Sequence, residues 1–291
     1  MLLPDLVLPS RVNQHWHMSG MDNPRYCNSI THWYQYPYEV EYCYNSRGFR
    51  DQDWPMEFHN TIWCLGDSFT VGIGSPVQHT WWYQLGMLTQ QRVINISMDG
   101  ASNQWISRKA CDILNSGLCD TMVIQWSYTH RRERTDRENV IDLRWKRFYR
   151  DIQDTSWPMC PHWTQRDSLP VNICVEIQQD PAFAQVSKIP DEDLRIDIPD
   201  REAVLDPEHN TLDFLQCLQR VEQCQGSTEI VHTFIPSWSD DTNIAKHQQA
   251  WPHSRKWLPE IQRQDWARDY HHYDILTAQR VAQDIKNKLL T

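Results

Sequence analysis

The stretch Ile62–Gly74, IWCLGDSFTVGIG, decides the fold, because an apolar run passes directly into Gly-Asp-Ser. The run TIWCLG at 61–66 is short, apolar and followed by turn residues, which is typical of a strand buried on both faces of a sheet. Ser68 stands just beyond the end of that strand. Open α/β sheets bind ligands at the carboxyl ends of their strands. The sequence therefore predicts a serine hydroxyl at a binding edge.

Three later runs have the same character and are predicted to be further strands of the sheet. They are RVINIS at 92–97, TMVIQWS at 121–127 and TEIVHTFIP at 228–236. Apolar residues at helical spacing separate or follow them, at 81–91, 102–117 and 274–290. We therefore predict a three-layer α/β/α fold of flavodoxin-like type with a central, mostly parallel sheet.

Two regions do not follow the alternation of strands and helices. We interpret residues 1–58 as an N-terminal extension and residues of about 130–208 as an insertion, within a single domain that spans 1–291. In the extension, YEVEYCYNSRGFRD at 38–51 alternates well enough to predict an edge strand, followed by a turn at Asn45–Gly48.

Charge and composition limit the partners of the protein. The formal net charge is −10 with both signs interspersed, which argues against nucleic acid or an anionic membrane surface as a partner. The segment MLLPDLVLPSRV at the start has no basic stretch, and no run approaches the roughly 18 apolar residues of a membrane span. Nine scattered cysteines are typical of reduced thiols. The expected location is the cytoplasm.

Two short motifs offer metal-ligand pairs, but each lacks a second half in the sequence. They are HWH at His15–His17 and CPH at Cys160–His162. A structural zinc site needs four ligands, which usually come as two matched pairs. The sequence therefore predicts no metal site, and no cofactor is expected.

A serine at the binding edge is inert unless a base accepts its proton and a third group holds that base. The segment ARDYHHYDILTAQ at 267–279 provides both, as Asp269 and His272. The spacing of three residues allows the carboxylate to reach the Nδ1 side of the imidazole within one loop. His271 is a rival base.

These two blocks resemble those of the SGNH/GDSL hydrolases, and the order YNSRGFRD, GDSFTVGIGSPVQHTWWYQL and VINISMDGASNQWISR is similar to a bacterial and phage-like branch of that family. The resemblance covers about 42–108 and 265–285. It implies Ser68 as nucleophile, His272 as general base and then acid, and Asp269 as the residue that orients the imidazole. It also implies an oxyanion hole formed by the N–H groups of Ser68 and Gly100.

The third block of that family, Gly-x-Asn-Asp, is missing here, since the third strand continues into QWSYTHRRE. The Asn of that block donates to the oxyanion. Asn103, three residues after Gly100, is the substitute that we favour, and Ser127 and Thr129 are weaker alternatives.

The predicted activity is that of a serine esterase acting on O-acyl esters of a carbohydrate or another small polar molecule. Short acyl groups are expected, because the sequence offers no long apolar lid. Acyl transfer to a sugar hydroxyl at the same site and a non-catalytic glycan-binding module are the alternatives.

Fifteen tryptophans are many for a chain of 291 residues. Trp81, Trp82, Trp105 and Trp126 are expected to pack in the core. Trp238, Trp251 and Trp257 precede the Asp-x-x-His segment, and they are candidates for stacking on a sugar.

Overall fold

The computed structural model describes residues 6–8, 11–19, 21–24, 27–129, 131–133, 140–142, 207–236 and 257–290. Most of the predicted insertion at 130–208, the CPH motif, Trp238 and Trp251 lie outside these residues.

The four predicted strands of the central sheet and the three predicted helices occur in the predicted order, together with further elements that were not predicted. The strands are β1 (His15–Trp16), β2 (Tyr42–Cys43), β3 (Thr61–Gly66), β4 (Arg92–Ser97), β5 (Thr121–Trp126), β6 (Arg131–Glu133), β7 (Val140–Asp142) and β8 (Glu229–Phe234). The helices are α1 (Ile30–Gln35), α2 (Ser68–Val71), α3 (Trp81–Thr89), α4 (Asn103–Asn115), α5 (Pro207–Cys224) and α6 (Ile275–Leu289), with a 3₁₀ turn at Val77–His79.

The central sheet has the order β4-β3-β5-β8, and all three of its pairings are parallel. Leu65 pairs with Ile96 on one side and with Ile124 on the other, so three carboxyl ends lie at one level. The four predicted strands are all present, and the last two are shorter than predicted. The parallel sheet therefore confirms the predicted fold class.

Both faces of the sheet are covered by helices, which explains the continuous apolar runs. Along β3, Ile62 and Cys64 face a core that includes residues of α3 and α6, whereas Trp63 and Leu65 face a core with residues of α4 and α5. All four side chains are fully buried. Burial of one large apolar side chain stabilises the fold by about 1.5–3 kcal/mol.

The two helices that flank the site are placed by local sequence signals. Helix α4 begins after Ser102, whose side chain accepts a hydrogen bond from the Trp105 N–H. Helix α6 buries apolar residues of the predicted helical pattern against the sheet. Those that are fully buried are Ala278, Val281, Ala282 and Ile285. Trp81, Trp82, Trp105 and Trp126 are buried as expected.

The segment before the sheet is held to the loop at 71–75 by one buried cation. The predicted turn is present, since the Gly48 N–H donates to the Asn45 carbonyl at 2.9 Å. The predicted strand is present as the two residues of β2, but β2 pairs with β1 in a separate two-stranded sheet and not at the edge of the central sheet. Beyond the turn, Arg50 is 1% exposed. Its guanidinium donates to the carbonyl oxygens of Glu41, Val71, Gly72 and Ser75.

Candidate active site

Ser68 lies where β3 turns sharply into α2. Asp67 caps this short helix, because its carboxylate accepts a hydrogen bond from the Phe69 N–H at 3.0 Å. Ser68 is therefore the first helical residue, a position whose backbone N–H has no partner within the helix. The sequence placed Ser68 at the carboxyl edge of the sheet, and the structure has it there.

Ser68, His272 and Asp269 lie in one hydrogen-bonded line. His272 Nε2 is 2.8 Å from Ser68 Oγ, and His272 Nδ1 is 2.5 Å from Asp269 Oδ2. The other carboxylate oxygen of Asp269 accepts the N–H groups of His271 and His272, both at 3.0 Å. The loop therefore fixes both the carboxylate and the ring that faces it.

Burial and charge act in opposite directions on Asp269, which is fully buried. Burial disfavours the carboxylate, but the charge of His272 and the hydrogen bonds from it outweigh this effect and lower the pKa of Asp269 to about 2. Asp269 is thus ionised at neutral pH. An ionised carboxylate on Nδ1 favours the tautomer in which Nε2 can accept the serine proton.

His271, the rival base, does not face the serine. Its Nδ1 lies 3.5 Å from the Asn28 amide nitrogen, and its backbone carbonyl accepts a hydrogen bond from Arg263 at 2.8 Å. His272 instead packs on the Phe69 ring, with centroids 4.4 Å apart. Of the two neighbouring histidines, the structure brings His272 to Ser68.

The loop that carries Asp269 is held from outside by an ion pair that sequence analysis did not find. Arg268 donates from Nε and Nη2 to the two carboxylate oxygens of Asp22, each at 2.7 Å. Asp22 is fully buried. The two residues are 246 positions apart, so no local pattern could have indicated the pair.

Gly74 allows the loop at 71–75 to approach the loop that carries Arg268 and Asp269 closely. The Arg268 N–H donates to the Gly74 carbonyl at 2.8 Å. Gly74 has φ +78, and a Cβ at this position would lie 3.0 Å from Asp269 Oδ1 and 2.9 Å from Ala267 Cβ. A side chain here would therefore push against the carboxylate itself. In the sequence, Gly72 and Gly74 after Ser68 were the signal that could have indicated such a close approach.

Gly100 lies in the turn after β4, where the Ala101 N–H donates to the Met98 carbonyl at 3.0 Å. The φ of Gly100 is +75, a value that glycine adopts without strain. The hydrogen bond of a β-turn joins the carbonyl of its first residue, here Met98, to the N–H of its fourth, here Ala101. The N–H of Gly100, the third residue, takes no part in this bond.

Asn103 is the first residue of α4, whereas the cap of this helix is Ser102. The Asn103 amide holds the backbone of Ser127 at two points: Nδ2 donates to the Ser127 carbonyl at 3.0 Å, and Oδ1 accepts the Ser127 N–H at 2.7 Å. This pairing fixes the orientation of the amide. The nitrogen has two hydrogens, and the Ser127 carbonyl uses one of them.

The Ser127 hydroxyl donates to Asp67 Oδ2 at 2.7 Å. A hydroxyl has a single hydrogen to donate. In this arrangement Ser127 therefore does not offer its hydroxyl to an oxyanion, which weakens it as an alternative to Asn103. The other alternative, Thr129, is half-buried two residues further on.

Trp257 is part of an aromatic cluster and not of an open stacking surface. Its ring stacks on His232 and Phe234, at centroid distances of 5.0 and 4.8 Å. It also packs against the core on the α4 and α5 side of the sheet.

A cavity of 730 Å³ lies apart from Ser68, His272 and Asp269, none of which lines it. Its walls include Asp51 and Arg92, which form an ion pair at 2.8 Å. Burial raises the pKa of Asp51 to about 6, although Arg92 opposes this shift.

Within the described residues, no helix is long and apolar enough to cross a lipid bilayer.

Comparisons with known proteins found similarity in solved structures alone. No family model matches the chain, and no curated protein matches it. A protein assigned to the G-D-S-L family of lipolytic proteins, from Desulfitobacterium hafniense DCB-2, is 10% identical, with a TM-score of 0.43 over 79% of this chain and 99% of that one.

Two further solved structures are similar to the chain. TesA is 10% identical, with a TM-score of 0.42 over 79% of this chain and 97% of that one. The acetyl xylan esterase Est2A from Butyrivibrio proteoclasticus is 12% identical, with a TM-score of 0.37 over 82% of this chain and 65% of that one.

Proposed function

We propose that the protein is a serine esterase of SGNH/GDSL type that cleaves short O-acyl esters of a carbohydrate or another small polar molecule. The observation that carries this proposal is the line of hydrogen bonds from Ser68 Oγ through His272 to Asp269, at 2.8 and 2.5 Å. Nucleophile, base and orienting carboxylate are the three parts that acyl transfer through a serine requires.

In the proposed mechanism, Ser68 Oγ attacks the ester carbonyl while its proton passes to His272 Nε2. The tetrahedral intermediate collapses when His272 returns this proton to the leaving alcohol, and an acyl-enzyme remains. Water then attacks the acyl group while its proton passes to His272. The bond between the acyl carbon and Ser68 Oγ breaks, His272 returns the proton to Oγ, and the acid leaves. Asp269 stays ionised throughout and stabilises the imidazolium.

The proposed oxyanion donors lie on two neighbouring strand ends. They are the Ser68 N–H at the start of α2, the Gly100 N–H in the turn after β4, and the second hydrogen of the Asn103 amide. Such donors act on charge that develops in the transition state. The pairing of Asn103 with the Ser127 backbone holds this amide rigidly, as such a donor requires.

A fluorophosphonate probe tests the proposal, because it labels serines that a neighbouring base activates. We expect the wild-type protein and Ser107→Ala to be labelled, and Ser68→Ala to remain unlabelled. Ser107 is a matched control, since it is fully buried and its hydroxyl donates to the Gln104 carbonyl within α4. Absence of labelling in the folded wild-type protein would contradict the esterase and favour a binding module.

Substrate preference requires a separate measurement. We expect hydrolysis of p-nitrophenyl esters to be fastest for acetyl and to fall as the acyl chain lengthens. Acetylated sugars should be hydrolysed in the same screen. An optimum at long acyl chains would refute the preference for short ones and leave the serine mechanism intact.

A further inference from the structure

The ribbon formed by β1 and β2 presents four potential metal ligands on one face. The strands pair antiparallel with His15 opposite Cys43 and Trp16 opposite Tyr42. His17 follows β1 directly and Glu41 precedes β2 directly, and the rings of His15 and His17 lie close together, with centroids 5.1 Å apart. All four are exposed, whereas Tyr42 is fully buried.

The ligand atoms of three of these residues are already close to one another, and the fourth residue, His17, approaches Glu41. Those of His15, Glu41 and Cys43 all lie within 4.8 Å. The Glu41 carboxylate is 3.7 Å from His15 Nε2 and 4.0 Å from His17 Nδ1. Metal–ligand bonds of about 2.0–2.3 Å place neighbouring ligands of a tetrahedral zinc ion roughly 3.3–3.8 Å apart. All four side chains are exposed, so rotations about their side-chain bonds can adjust these distances.

The backbone beneath these ligands is held firmly. Arg50 donates to the Glu41 carbonyl at 2.6 Å. Tyr42 OH donates to Asp22 at 2.6 Å and accepts the Gly74 N–H at 2.8 Å. On the other strand, the Trp16 ring packs against Tyr44, with centroids 5.0 Å apart. The exposed side chains therefore project from a fixed ribbon, which lowers the entropic cost of binding an ion.

We propose that His15, His17, Glu41 and Cys43 bind a divalent zinc ion. Two imidazoles, a thiolate and a carboxylate are ligands that Zn²⁺ takes in tetrahedral sites, whereas Mg²⁺ and Ca²⁺ bind oxygen ligands. The proposal replaces the expectation from the sequence that there is no metal site. The HWH motif does have a second half, which is the Glu-x-Cys of the paired strand.

The ordinary alternative is an ion pair between Glu41 and the two histidines, with Cys43 as a bystander. The thiol separates the two interpretations. A zinc site requires Cys43 to bind as a thiolate, with release of a proton, whereas an ion pair does not involve the sulfur. The experiment is therefore designed around Cys43.

Titration of the reduced full-length protein with Co²⁺ reports sulfur ligation directly. We expect a thiolate-to-cobalt charge-transfer absorption in the near ultraviolet at one equivalent, displaced by Zn²⁺. Cys43→Ser should abolish it, whereas Cys224→Ser, at a partly exposed free cysteine at the end of α5, should retain it. Persistence of the band in Cys43→Ser would overturn the site.

The remaining ligands are tested by affinity for Zn²⁺, measured by competition with a chromogenic chelator. His15→Ala, His17→Ala and Glu41→Gln should each raise the Kd by at least about 10-fold. Unchanged Kd values in all three variants would also refute the proposal. Ser68→Ala should bind zinc like the wild-type protein, so the metal site and the proposed esterase can fail independently.

Discussion

Two histidines with equal burial occupy very different surroundings in this fold. His272 and His232 are each 3% exposed. His272 lies on the loop before α6, between the Asp269 carboxylate and the Ser68 hydroxyl. His232 lies within β8, where its Nδ1 accepts a hydrogen bond from the Trp126 indole at 3.1 Å. Among the described residues, His232 forms no ion pair.

This difference decides what each ring can do. Burial alone lowers the pKa of His232 to about 3, so this ring stays neutral and acts as an acceptor for Trp126. At His272 the ionised Asp269 provides the charge that a protonated imidazole needs nearby. A buried histidine is thus suited to proton transfer when a carboxylate is buried with it. The first prediction removes that carboxylate.

Asp269→Asn should lower kcat/KM for p-nitrophenyl acetate by about 10⁴-fold, because a neutral amide neither stabilises the imidazolium nor selects the correct tautomer. Asp274→Asn is the matched control. Asp274 is also a buried carboxylate paired with a histidine, His79 at 2.8 Å, but neither residue contacts Ser68 in the described structure. Equal losses in the two variants would show that Asp269 acts through stability alone.

The second prediction concerns the oxyanion side of the same site. Asn103→Ala should lower kcat by about 100-fold with little change in KM, the mark of a contact made mainly in the transition state. Because the amide also makes two hydrogen bonds to the Ser127 backbone, the free energy of unfolding should fall by about 1–3 kcal/mol.

Ser127→Ala is the control for that loss of stability. It removes the hydroxyl that binds Asp67 but keeps the backbone groups that Asn103 holds. We expect its kcat to remain much closer to that of the wild-type protein. If Asn103→Ala is destabilised but keeps its kcat, Asn103 only stabilises the fold through its hydrogen bonds to Ser127, and another group is the oxyanion donor.

The third prediction concerns His232 and the pH dependence of stability, and it leaves catalysis unchanged. Its pKa is lower in the folded protein than the usual value of about 6.5. Between these values the unfolded chain binds more protons, so stability falls as the pH falls, by up to about 1.4 kcal/mol per pH unit. In His232→Asn, whose side-chain oxygen can accept the Trp126 N–H, this contribution should disappear.

Urea unfolding of the two proteins between about pH 7 and pH 4 measures the effect. The comparison must be between variant and wild type, because Asp51, whose burial raises its pKa to about 6, acts in the opposite direction. Parallel curves for the two proteins would show that His232 does not titrate differently in the folded state. Esterase activity at neutral pH should be unchanged in His232→Asn.

The sequence predicted those features that local pattern determines. Each strand of the sheet was visible as a short apolar run, and Ser68, Asp269 and His272 were visible because a chemical requirement and a family pattern coincided there. Helix α4 was predicted too, and the structure shows that it begins after Ser102.

Contacts between distant segments could not be predicted in this way. The Arg268–Asp22 pair, the tie between Asn103 and Ser127, and the position of HWH opposite Glu-x-Cys all depend on the tertiary fold. Trp257 shows the same limit, because an aromatic residue before the Asp-x-x-His segment is equally compatible with an exposed platform and with the packed cluster that the structure contains.

The distance along the chain between the two loops also bears on the order in which the protein is made. Ser68 and His272 are 204 positions apart, and Arg268 is 246 positions from Asp22. During synthesis the serine leaves the ribosome long before its base, and a serine without a base is a poor nucleophile. Contacts this distant also form slowly, since a long loop must close first. If Ser68 is the nucleophile that we propose, the nascent chain carries an inert hydroxyl, which becomes reactive only when folding is nearly complete.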